Sequence, residues 1–473
     1  MDREGRLPAV GPAPAACAVH CIRRPFPMTS RSVALDIHKH EATASIVDPQ
    51  GRELLSRRFE LTRLSLHAFA RTTLRPTDRV ALEATTNCWA VAEILRPYVA
   101  EVIVSNPLAT KAIASAKVKT DKVDAHVLAQ LLRCDFLPQV WPPDPQTQQL
   151  RQLTGRRAAL VQQRTALQNR IHSVLAMRLI PVPVERLFSL AGQRWLQALL
   201  QSDALDEVEQ PASALDDEGR LMIESDLILL AGVQQQIDRF ERVLAERGWS
   251  DARVKLLMTL PGVDVATAET VLAALGDIGR FATPEKAAAY LGLVPSTRQS
   301  AQKCYHGPIT KRGNVQARWM LIQAAHSIAR NPGPLGAFFR RLKQKKNHNV
   351  AVVAVARKLV MIAWHMLTRH EPYRYALPRS TETKLSRLRV TATGQKRRTG
   401  PPAGERCVAK LPGGSRTVKS LDQVYAVEDL PARQPLTIGE QRTVRATGTA
   451  EFVQGLEREH VIPRRQAVTA EAD

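Results

Sequence analysis

The chain has little cysteine, and its cysteines form no recognisable framework. Only 6 of its 473 residues are cysteine, and none forms a CxxC pair. No second Cys/His pair lies at zinc-ligand spacing, so the sequence indicates neither a zinc module nor a set of disulfides. This usage is typical of a protein of the reducing cytoplasm.

Long hydrophobic runs are also absent from the sequence. No uninterrupted apolar stretch reaches the roughly 18 residues of a membrane span. The N-terminus carries Asp2 and Glu4 and has no continuous apolar segment, so it does not have the form of a signal peptide. We therefore expect no membrane partner and a protein that stays in the compartment where it is made.

Acidic residues are too few to balance the basic ones. Against 67 Lys and Arg there are 45 Asp and Glu, which gives a formal net charge of +22. A polyanion such as nucleic acid is the expected partner, with a basic but otherwise ordinary protein as the alternative. The charges cluster: between Ser296 and Tyr375 the chain has fifteen basic residues and one acid, Glu371.

Signatures for direct reading of bases are missing as well. Only 5% of the residues are Phe, Trp or Tyr, so few rings are present for base stacking, and no recognition helix is evident. Contacts with the phosphate backbone are the simpler expectation. The residues expected to make them are Lys117, Lys119, Lys122, Lys303, Lys311, Arg312, Arg318, Arg340, Arg341 and Lys343.

Residues 28–144 have the pattern of an α/β domain. The runs SVALDIH, EATASIVD and RELLSRRFEL predict three consecutive antiparallel strands, with a turn at Pro49-Gln50-Gly51. A helix at about 64–75, a strand at 80–84, a helix at 89–95, the strand EVIVSN and a helix at about 121–133 follow. This order is compatible with an RNase H-like or RuvC-like fold. Residues 1–27 show no periodicity and are predicted to be a disordered extension.

Residues 145–250 predict a long helical region. Leucine and isoleucine recur at heptad spacing in 146–178 and 221–247, although Arg157 and Arg164 interrupt the seam. The acidic segment between them, 203–219, is expected to be an exposed loop. An antiparallel hairpin within one chain and an intermolecular coiled coil both satisfy this pattern. Residues 251–376 indicate a compact, mainly α domain, and residues 377–473 are predicted to be a mostly disordered tail.

The sequence LPGV at 260–263 is compatible with two local structures. It resembles half of a helix-hairpin-helix, whose backbone amides hold a phosphate at a helix N-terminus. Asp264 stands where a second glycine is usual. A plain helical connection in the core is the other interpretation.

Four acidic residues form the candidate catalytic cluster. Asp36 lies within an apolar strand, where a bare carboxylate is costly to bury, and Glu83 ends the strand VALEA. Asp121 and Asp124 share one face of a predicted helix. Taken singly, the strand acids are explained by an exposed sheet rim and Asp121 by helix capping, which leaves Asp124 unexplained. Together they suit Mg²⁺, with Mn²⁺ as the alternative ion, in a phosphoryl-transfer site.

These motifs resemble a known family. VALDIHKHEATASIVD, ALEAT and VKTDKVDAHVLAQLL are similar to the DEDD transposases of insertion sequences, relatives of Piv-type DNA invertases and RNA-guided bridge recombinases. A second block, residues 260–325, resembles that family's C-terminal transposase domain. The resemblance covers about residues 31–375. It implies a RuvC-like domain that binds magnesium through Asp36, Glu83, Asp121 and Asp124.

The resemblance also implies a serine nucleophile. In this family a serine in a Ser-Gly context follows a GLxP segment, and the residue in that place is Ser300, followed here by Ala301. If the glycine requires a positive φ, alanine costs of order 1 kcal/mol. Ser296 is the competing candidate, and a lone serine usually caps a turn. By resemblance, the metals of the RuvC-like domain lower the cost of deprotonating the serine.

The function that follows is a transposase that excises and integrates an insertion sequence. Its expected partners are the DNA of the element ends and target, a guide RNA encoded by the element, and further copies of the chain in a dimer or tetramer. The expected location is the nucleoid of a bacterial cytoplasm. Two alternatives remain at this point: a RuvC-like nuclease or junction resolvase that does not use Ser300, and an inactive nucleic-acid-binding remnant.

Overall fold

The computed structural model describes residues 30–114, 120–201, 215–300, 303–395 and 416–462. The chain divides into two compact units, with the boundary between Pro142 and Pro143. Several predictions fall outside the described residues: the extension at 1–27, Lys117 and Lys119, most of the acidic segment, and Ala301.

The first unit is a mixed α/β domain. Its five strands form one sheet in the order β3-β2-β1-β4-β5, with β1, β2 and β3 antiparallel and β1, β4 and β5 parallel. The predicted strands and helices are confirmed and are consistent with a RuvC-like fold. The elements are β1 Ser32–Ile37, β2 Glu41–Val47, β3 Glu53–Glu60, α1 Arg63–Thr73, β4 Arg79–Glu83, α2 Cys88–Leu95, β5 Glu101–Ser105, α3 Pro107–Ile113 and α4 Asp121–Arg133.

Helix α3 was not predicted. The Asn106 side chain accepts hydrogen bonds from the backbone N–H groups of Leu108 and Ala109, and Pro107 occupies the first helical position. Both are signals of a helix start. The helix has only seven residues, which is too short for an apolar periodicity to show in the sequence.

Strand β1 lies at the centre of the sheet and is covered on both faces. Val33 and Leu35 belong to a hydrophobic cluster that includes residues of α1 and α2. Ala34 belongs to a second cluster, which includes Ala129 of α4. Because side chains alternate along a strand, the even-numbered positions of β1 face α4.

The second unit is mostly helical, as predicted. Its core contains residues of α8, α9, α11 and α13, and its only sheets among the described residues are two short antiparallel pairs of strands. The elements are α5 Pro145–Met177, α6 Leu190–Gln201, α7 Asp217–Ser250, α8 Ala252–Met258, α9 Val265–Leu275, α10 Pro284–Tyr290, β6 Pro295–Ser300, β7 Lys303–Ile309, α11 Val315–Ile328, α12 Pro334–Lys343, α13 His348–Arg369, α14 Pro378–Thr393, β8 Arg416–Val418, α15 Leu421–Val427, α16 Ile438–Ala446, α17 Ala450–Gly455 and β9 His460–Ile462.

The long helices α5 and α7 pair with each other in antiparallel orientation within one chain. Arg157 forms an ion pair with Glu241, and Arg170, which is later in α5, forms one with Asp226, which is earlier in α7. Arg164, the second arginine in the seam, donates a hydrogen bond to the side-chain oxygen of Gln234 at 3.2 Å. The two arginines that interrupt the apolar seam therefore have polar partners on the facing helix. The oligomeric state remains a prediction.

Helix α13 is long and apolar enough, by length and composition, to cross a membrane. It has 22 residues, and the mean hydropathy of its most apolar 18-residue window is 1.8. Half of that window is buried, and Val355, Leu359 and Val360 are fully buried in the core of the second unit. This burial is that of a core helix in a folded domain.

Residues beyond 376 differ from the prediction of a mostly disordered tail. Helix α14 contributes Leu385 and Leu388 to the core of the second unit, and α15 contributes Leu421 and Tyr425. The Tyr425 hydroxyl donates to the carbonyl of Tyr373 at 2.6 Å. Only a few apolar residues pack these helices against the core. The prediction of disorder was based on composition, in which the surrounding Arg, Thr, Pro and Gly outweigh those residues.

The turn between α8 and α9, which contains the LPGV sequence, is a connection within the core. Gly262 has φ +74°, and a Cβ there would lie 2.6 Å from the Ala324 carbonyl oxygen. The part-buried Lys384 ammonium donates to the carbonyls of Leu260 at 2.7 Å and Val263 at 3.0 Å, and also to that of Met258. Burial lowers the pKa of Lys384 to about 8, and Asp264 opposes the shift. The LPGV segment is therefore better described as a helical connection in the core than as half of a helix-hairpin-helix.

Glu269 is a buried carboxyl group in the middle of α9. It is 2% exposed, and its Oε1 has no hydrogen-bond partner among the described residues. Burial raises the pKa of Glu269 to about 7; Asp251 adds to the shift, whereas Arg247 and Arg253 oppose it. The neutral carboxyl is thus the form that the folded state prefers.

Replacing Glu269 with glutamine should reduce the pH dependence of stability. The folded-state pKa of Glu269 is raised above its ordinary value of 4.5. The stabilising contribution of this carboxyl to the free energy of unfolding is therefore full below about pH 4.5 and is lost as the pH rises through about 7. We expect the free energy of unfolding of the wild type to fall, relative to Glu269→Gln, by roughly 2–4 kcal/mol across this range. Urea unfolding at pH 4.5 and 8 measures this, with the exposed Glu246→Gln as control. Equal pH dependence of wild type and Glu269→Gln would contradict the prediction.

Candidate active site

Two carboxylates lie next to each other at the ends of parallel strands. The register of β1 with β4 pairs Leu35 with Leu82, so Asp36 and Glu83 follow at neighbouring positions. Alternation places both on the face that carries Ala34 and Ala81, which pack against α4. Small alanines at these positions let α4 lie close to the sheet.

Helix α4 brings two more carboxylates to this end of the sheet. Thr120 caps the helix, since its side chain accepts a hydrogen bond from the Val123 N–H at 3.3 Å. Asp121 and Asp124 occupy the first turn. At a helix N-terminus the partial positive charge of the backbone favours carboxylates. The N-terminus of α4 is therefore capped by Thr120 and not by either aspartate.

Three of the four carboxylates surround one cleft. Asp36, Glu83 and Asp124 line a space of about 370 Å³, together with Thr110 and Lys111 of α3. Carboxylates from two strands and a helix therefore line the same cleft as one lysine. Asp121 does not line this cleft and belongs to an adjacent group.

His38 links Asp36 to Asp121. Its Nε2 lies 3.4 Å from Asp36 Oδ2 and 3.3 Å from Asp121 Oδ1, and the ligand atoms of these three residues lie within 4.8 Å of one another. The Asn87 side chain donates to the His38 carbonyl at 3.2 Å, which fixes this corner of the site. Asp36 thus belongs both to the cleft and to this group.

The environment of Asp36 disfavours its charged form. The side chain is 14% exposed. Burial raises the pKa of Asp36, the negative charges of Asp121 and Asp124 raise it further, and His38 lowers it. A bound cation would relieve this repulsion and stabilise the ionised carboxylates.

The residues present fit a hydrated divalent cation. Carboxylate oxygens are the ligands that Mg²⁺ prefers, and this ion keeps several waters that need hydrogen-bond partners. Thr110, which lines the cleft, and Ser105, which pairs with Glu83 in the sheet, each bury a hydroxyl that has no hydrogen-bond partner in the described ranges. Hydroxyls placed in this way are suitable partners for coordinated water.

Sequence reasoning missed two residues of this site. His38 lies two positions after Asp36, and the period of a strand could have placed it near the same face. Lys111 lies on α3, whose start was signalled by Asn106-Pro107 but was not recognised. Of the predicted flanking lysines, Lys122 is described: it is exposed, and its Nζ lies 3.9 Å from Glu53 Oε2.

Ser300 lies at the end of an exposed β-hairpin in the second unit. In the β6–β7 pairing, Ser300 is opposite Lys303, and Arg298 is opposite Tyr305. Residues that face each other in an antiparallel pair project from the same side. The serine therefore shares one face of the hairpin with two cationic side chains and a tyrosine, all of them exposed. Arg298 and Tyr305 were not among the predicted site residues.

Ser296 has a structural role. Its hydroxyl donates to the Pro308 carbonyl at 3.0 Å. A Cβ at Gly307 would lie 2.6 Å from the Ser296 oxygen, so this approach depends on the glycine. The bond closes the base of the hairpin, which leaves Ser300 as the better nucleophile candidate of the two.

The prediction that Arg318 belongs to the nucleic-acid surface is wrong. It is 7% exposed, and its Nη1 donates to the carbonyls of Leu291 at 3.1 Å and Arg312 at 2.9 Å. Burial lowers the pKa of its guanidinium. The side chain lies on the buried face of α11 and supports the loop before that helix, so it offers no surface to a phosphate.

The remaining predicted cations of this unit lie on the surface. Arg340 donates to the Asn331 carbonyl at 3.0 Å, and Arg341 lies 5.7 Å from the centre of the Phe338 ring. These two and Lys343 occupy the last turn of α12, where basic residues also complement the helix dipole. The exposed cations are Lys303, Lys311, Arg312, Arg340, Arg341 and Lys343.

Comparison with known proteins gives two family matches, of which the first covers most of the first unit and continues through α5, and the second lies within the second unit. Residues 33–178 match a family described as "Transposase", and residues 254–340 match one described as "Transposase IS116/IS110/IS902 family". The first range includes the four carboxylates, and the second includes Ser300.

Individual relatives agree with these matches. A "Probable family 20 transposase" of Pseudomonas aeruginosa is 30% identical over 264 residues, which are 54% of this chain and 75% of that protein. The transposase for insertion sequence element IS1111A of Coxiella burnetii is 28% identical over 54% of this chain and 68% of its own length. The pilin gene-inverting protein of Moraxella bovis is 30% identical over 26% of this chain and 38% of its own length.

Removing a carboxylate from the cluster should weaken binding of a divalent cation. We expect Asp36→Asn to lower the affinity for Mn²⁺ on the order of 10–100-fold or more, because even partners of metal ligands have effects of this size. Isothermal titration calorimetry with the full chain measures the change. The exposed Glu60→Gln, on the edge strand β3, is the matched control. Equal affinity of Asp36→Asn and wild type would show that this cluster does not hold the ion.

Proposed function

Because the chain belongs to the IS110/IS116/IS902 family of transposases, we propose that it moves its own insertion sequence by metal-dependent phosphoryl transfer on DNA. The observation that carries this proposal is the position of Asp36, Glu83 and Asp124 around one cleft. Asp36 is also shared with the group formed by His38 and Asp121. Such a concentration of carboxylates suits divalent cations, which can bind phosphate oxygens as well.

Asp36, Glu83, Asp121 and Asp124 would hold the divalent metal, Mg²⁺ or, alternatively, Mn²⁺. When bound, the metal supplies positive charge that offsets charge on the attacking and leaving oxygens. The chain contributes fixed positions: the sheet holds two carboxylates, the capped start of α4 holds two, and Asn87 anchors the backbone of His38. Lys111 adds a cation on the α3 side of the cleft.

In the proposed reaction Ser300 forms a transient bond to DNA. Its Oγ attacks phosphorus and loses its proton, while the bond from phosphorus to the leaving deoxyribose oxygen breaks and that oxygen gains a proton. A hydroxyl of the second DNA strand then attacks the phosphoserine, which restores Ser300 and conserves the bond energy. Arg298 and Lys303 share the serine's face of the hairpin, where they would stabilise negative charge on the phosphate.

The proposed partners follow from charge and from the family motifs. The exposed cations of the second unit, among them Lys311, Arg312 and Lys343, suit the phosphate backbone of the element ends and the target. A guide RNA encoded by the element and a homo-oligomer are the further proposed partners. Both rest on the resemblance of the two motif blocks to RNA-guided recombinases.

Asp124→Asn should abolish strand transfer and leave nucleic-acid binding largely intact. Several kcal/mol of transition-state stabilisation depend on the metal site, so the rate should fall at least about 100-fold. Binding depends on the basic surface and should change little. Strand transfer on element-end DNA and a gel-shift assay measure the two. Normal recombination by Asp124→Asn would remove this residue from the proposed site.

Replacing Ser300 with alanine should prevent formation of a covalent protein–DNA adduct. Denaturing gels of reactions with labelled DNA detect the adduct. Ser296→Ala is the control, because its hydroxyl bonds the Pro308 carbonyl, and adducts should still form with this variant. If Ser300→Ala cleaves DNA as fast as the wild type, the protein is a hydrolytic nuclease. If Ser296→Ala alone loses the adduct, Ser296 is the nucleophile.

A further inference from the structure

Helix α14 carries two arginines that line a cleft distinct from both parts of the proposed site. Arg379 and Arg387 border a space of about 550 Å³ in the second unit. Both are exposed, and neither forms a hydrogen bond or ion pair through its side chain within the described ranges. Eight residues separate them, which corresponds to about 12 Å along the helix axis. The cleft thus presents two guanidinium groups that are not used by the fold.

The acidic residues that line the same cleft already have partners. Glu241 is bound by Arg157, and Asp264 accepts a hydrogen bond from the Thr267 N–H at 2.8 Å, which caps α9. Lys384, a third cation of the lining, is held by carbonyls of the α8–α9 turn. The charge that remains available to a ligand is therefore positive.

The floor of the cleft is apolar. Met258, Val265, Leu377 and Leu388 contribute to its lining. A cleft of this size accommodates a small ligand or one or two nucleotides. A base within a double helix is stacked and paired, so it could not reach the lining of such a space without leaving the helix. The combination of apolar floor and cationic rim matches an unpaired base attached to its phosphates.

We propose that this α14 cleft binds a single nucleic-acid strand, with backbone phosphates on Arg379 and Arg387 and a base against the apolar floor. Arginine forms paired hydrogen bonds with phosphate oxygens, and its charge is not lost at any physiological pH. The inference deepens the proposed function and rests on it for the nature of the partner, but it requires neither the carboxylate cluster nor Ser300. RNA and unpaired DNA offer the same phosphates.

The salt dependence of binding tests this proposal. Fluorescence anisotropy of the full chain with 20-nucleotide oligo-dT and oligo-U, in EDTA over a KCl series, gives the slope of log K against log salt. Each phosphate contact on a single strand contributes about 0.7 to this slope. We expect the double variant Arg379→Gln, Arg387→Gln to lower its magnitude by about 1.4 for at least one strand. Arg379→Lys, Arg387→Lys keeps both charges and should retain most of the slope.

The matched control removes two exposed arginines elsewhere on the same unit. Arg442 and Arg445 of α16 do not line the cleft and form no ion pair within the described ranges. Equal slopes for Arg442→Gln, Arg445→Gln and for the cleft variant would overturn the proposal. A loss confined to a 20-base-pair duplex would overturn it too. The assay is run in EDTA and follows binding alone, so it requires neither the metal nor a serine adduct, and failure of the cleft is distinguishable from failure of the proposed chemistry.

Discussion

Carboxylates crowd together at the end of β1, and their mutual repulsion is the main physical constraint on the site. Parallel pairing of β1 with β4 brings Asp36 beside Glu83, and the approach of α4 to the alanine-lined face brings Asp121 and Asp124 to the same end. Burial and like charges both disfavour the ionised form of Asp36. A fold that concentrates negative charge in this way loses stability unless a cation compensates. The site therefore carries a cost that the proposed metal-dependent phosphoryl transfer would explain.

Cations in the second unit fall into two groups that differ in their partners. Arg318 and Lys384 donate to backbone carbonyls, and each holds a turn of the core. Lys303, Arg379 and Arg387 are exposed and border the hairpin face or the α14 cleft. Net charge alone cannot separate these roles, because a buried guanidinium and an exposed one count equally in the sequence. Burial separates Arg318 from the exposed cations, and it leaves a smaller surface for nucleic acid than the fifteen basic residues indicated.

Much of the first unit could be predicted because its strands alternate or are uniformly apolar, and both patterns are local. The grouping of Asp36 with Glu83 and Asp124 depends on the register of β1 with β4 and on the packing of α4 against the sheet. The residue types suggested this grouping but could not determine the register or the packing. Helices α3 and α14 were missed, since the first is short and the second has few apolar residues. The buried place of Arg318 could have been read from helix period: it lies three residues before Leu321, which is also buried. Ion pairs between residues distant in sequence, such as Arg157 and Glu241, produce no local sequence pattern from which they could be predicted.

We propose that the carboxylate cluster holds the catalytic cation. Anomalous X-ray scattering from crystals of the full chain grown with Mn²⁺ tests it directly, because the ion's position is seen independently of any activity. We expect an anomalous peak bonded to a carboxylate oxygen of Asp36 at about 2.1 Å, with Glu83 or Asp124 as a further ligand. A well-ordered Mn²⁺ peak elsewhere in the chain, with none at Asp36, would contradict it.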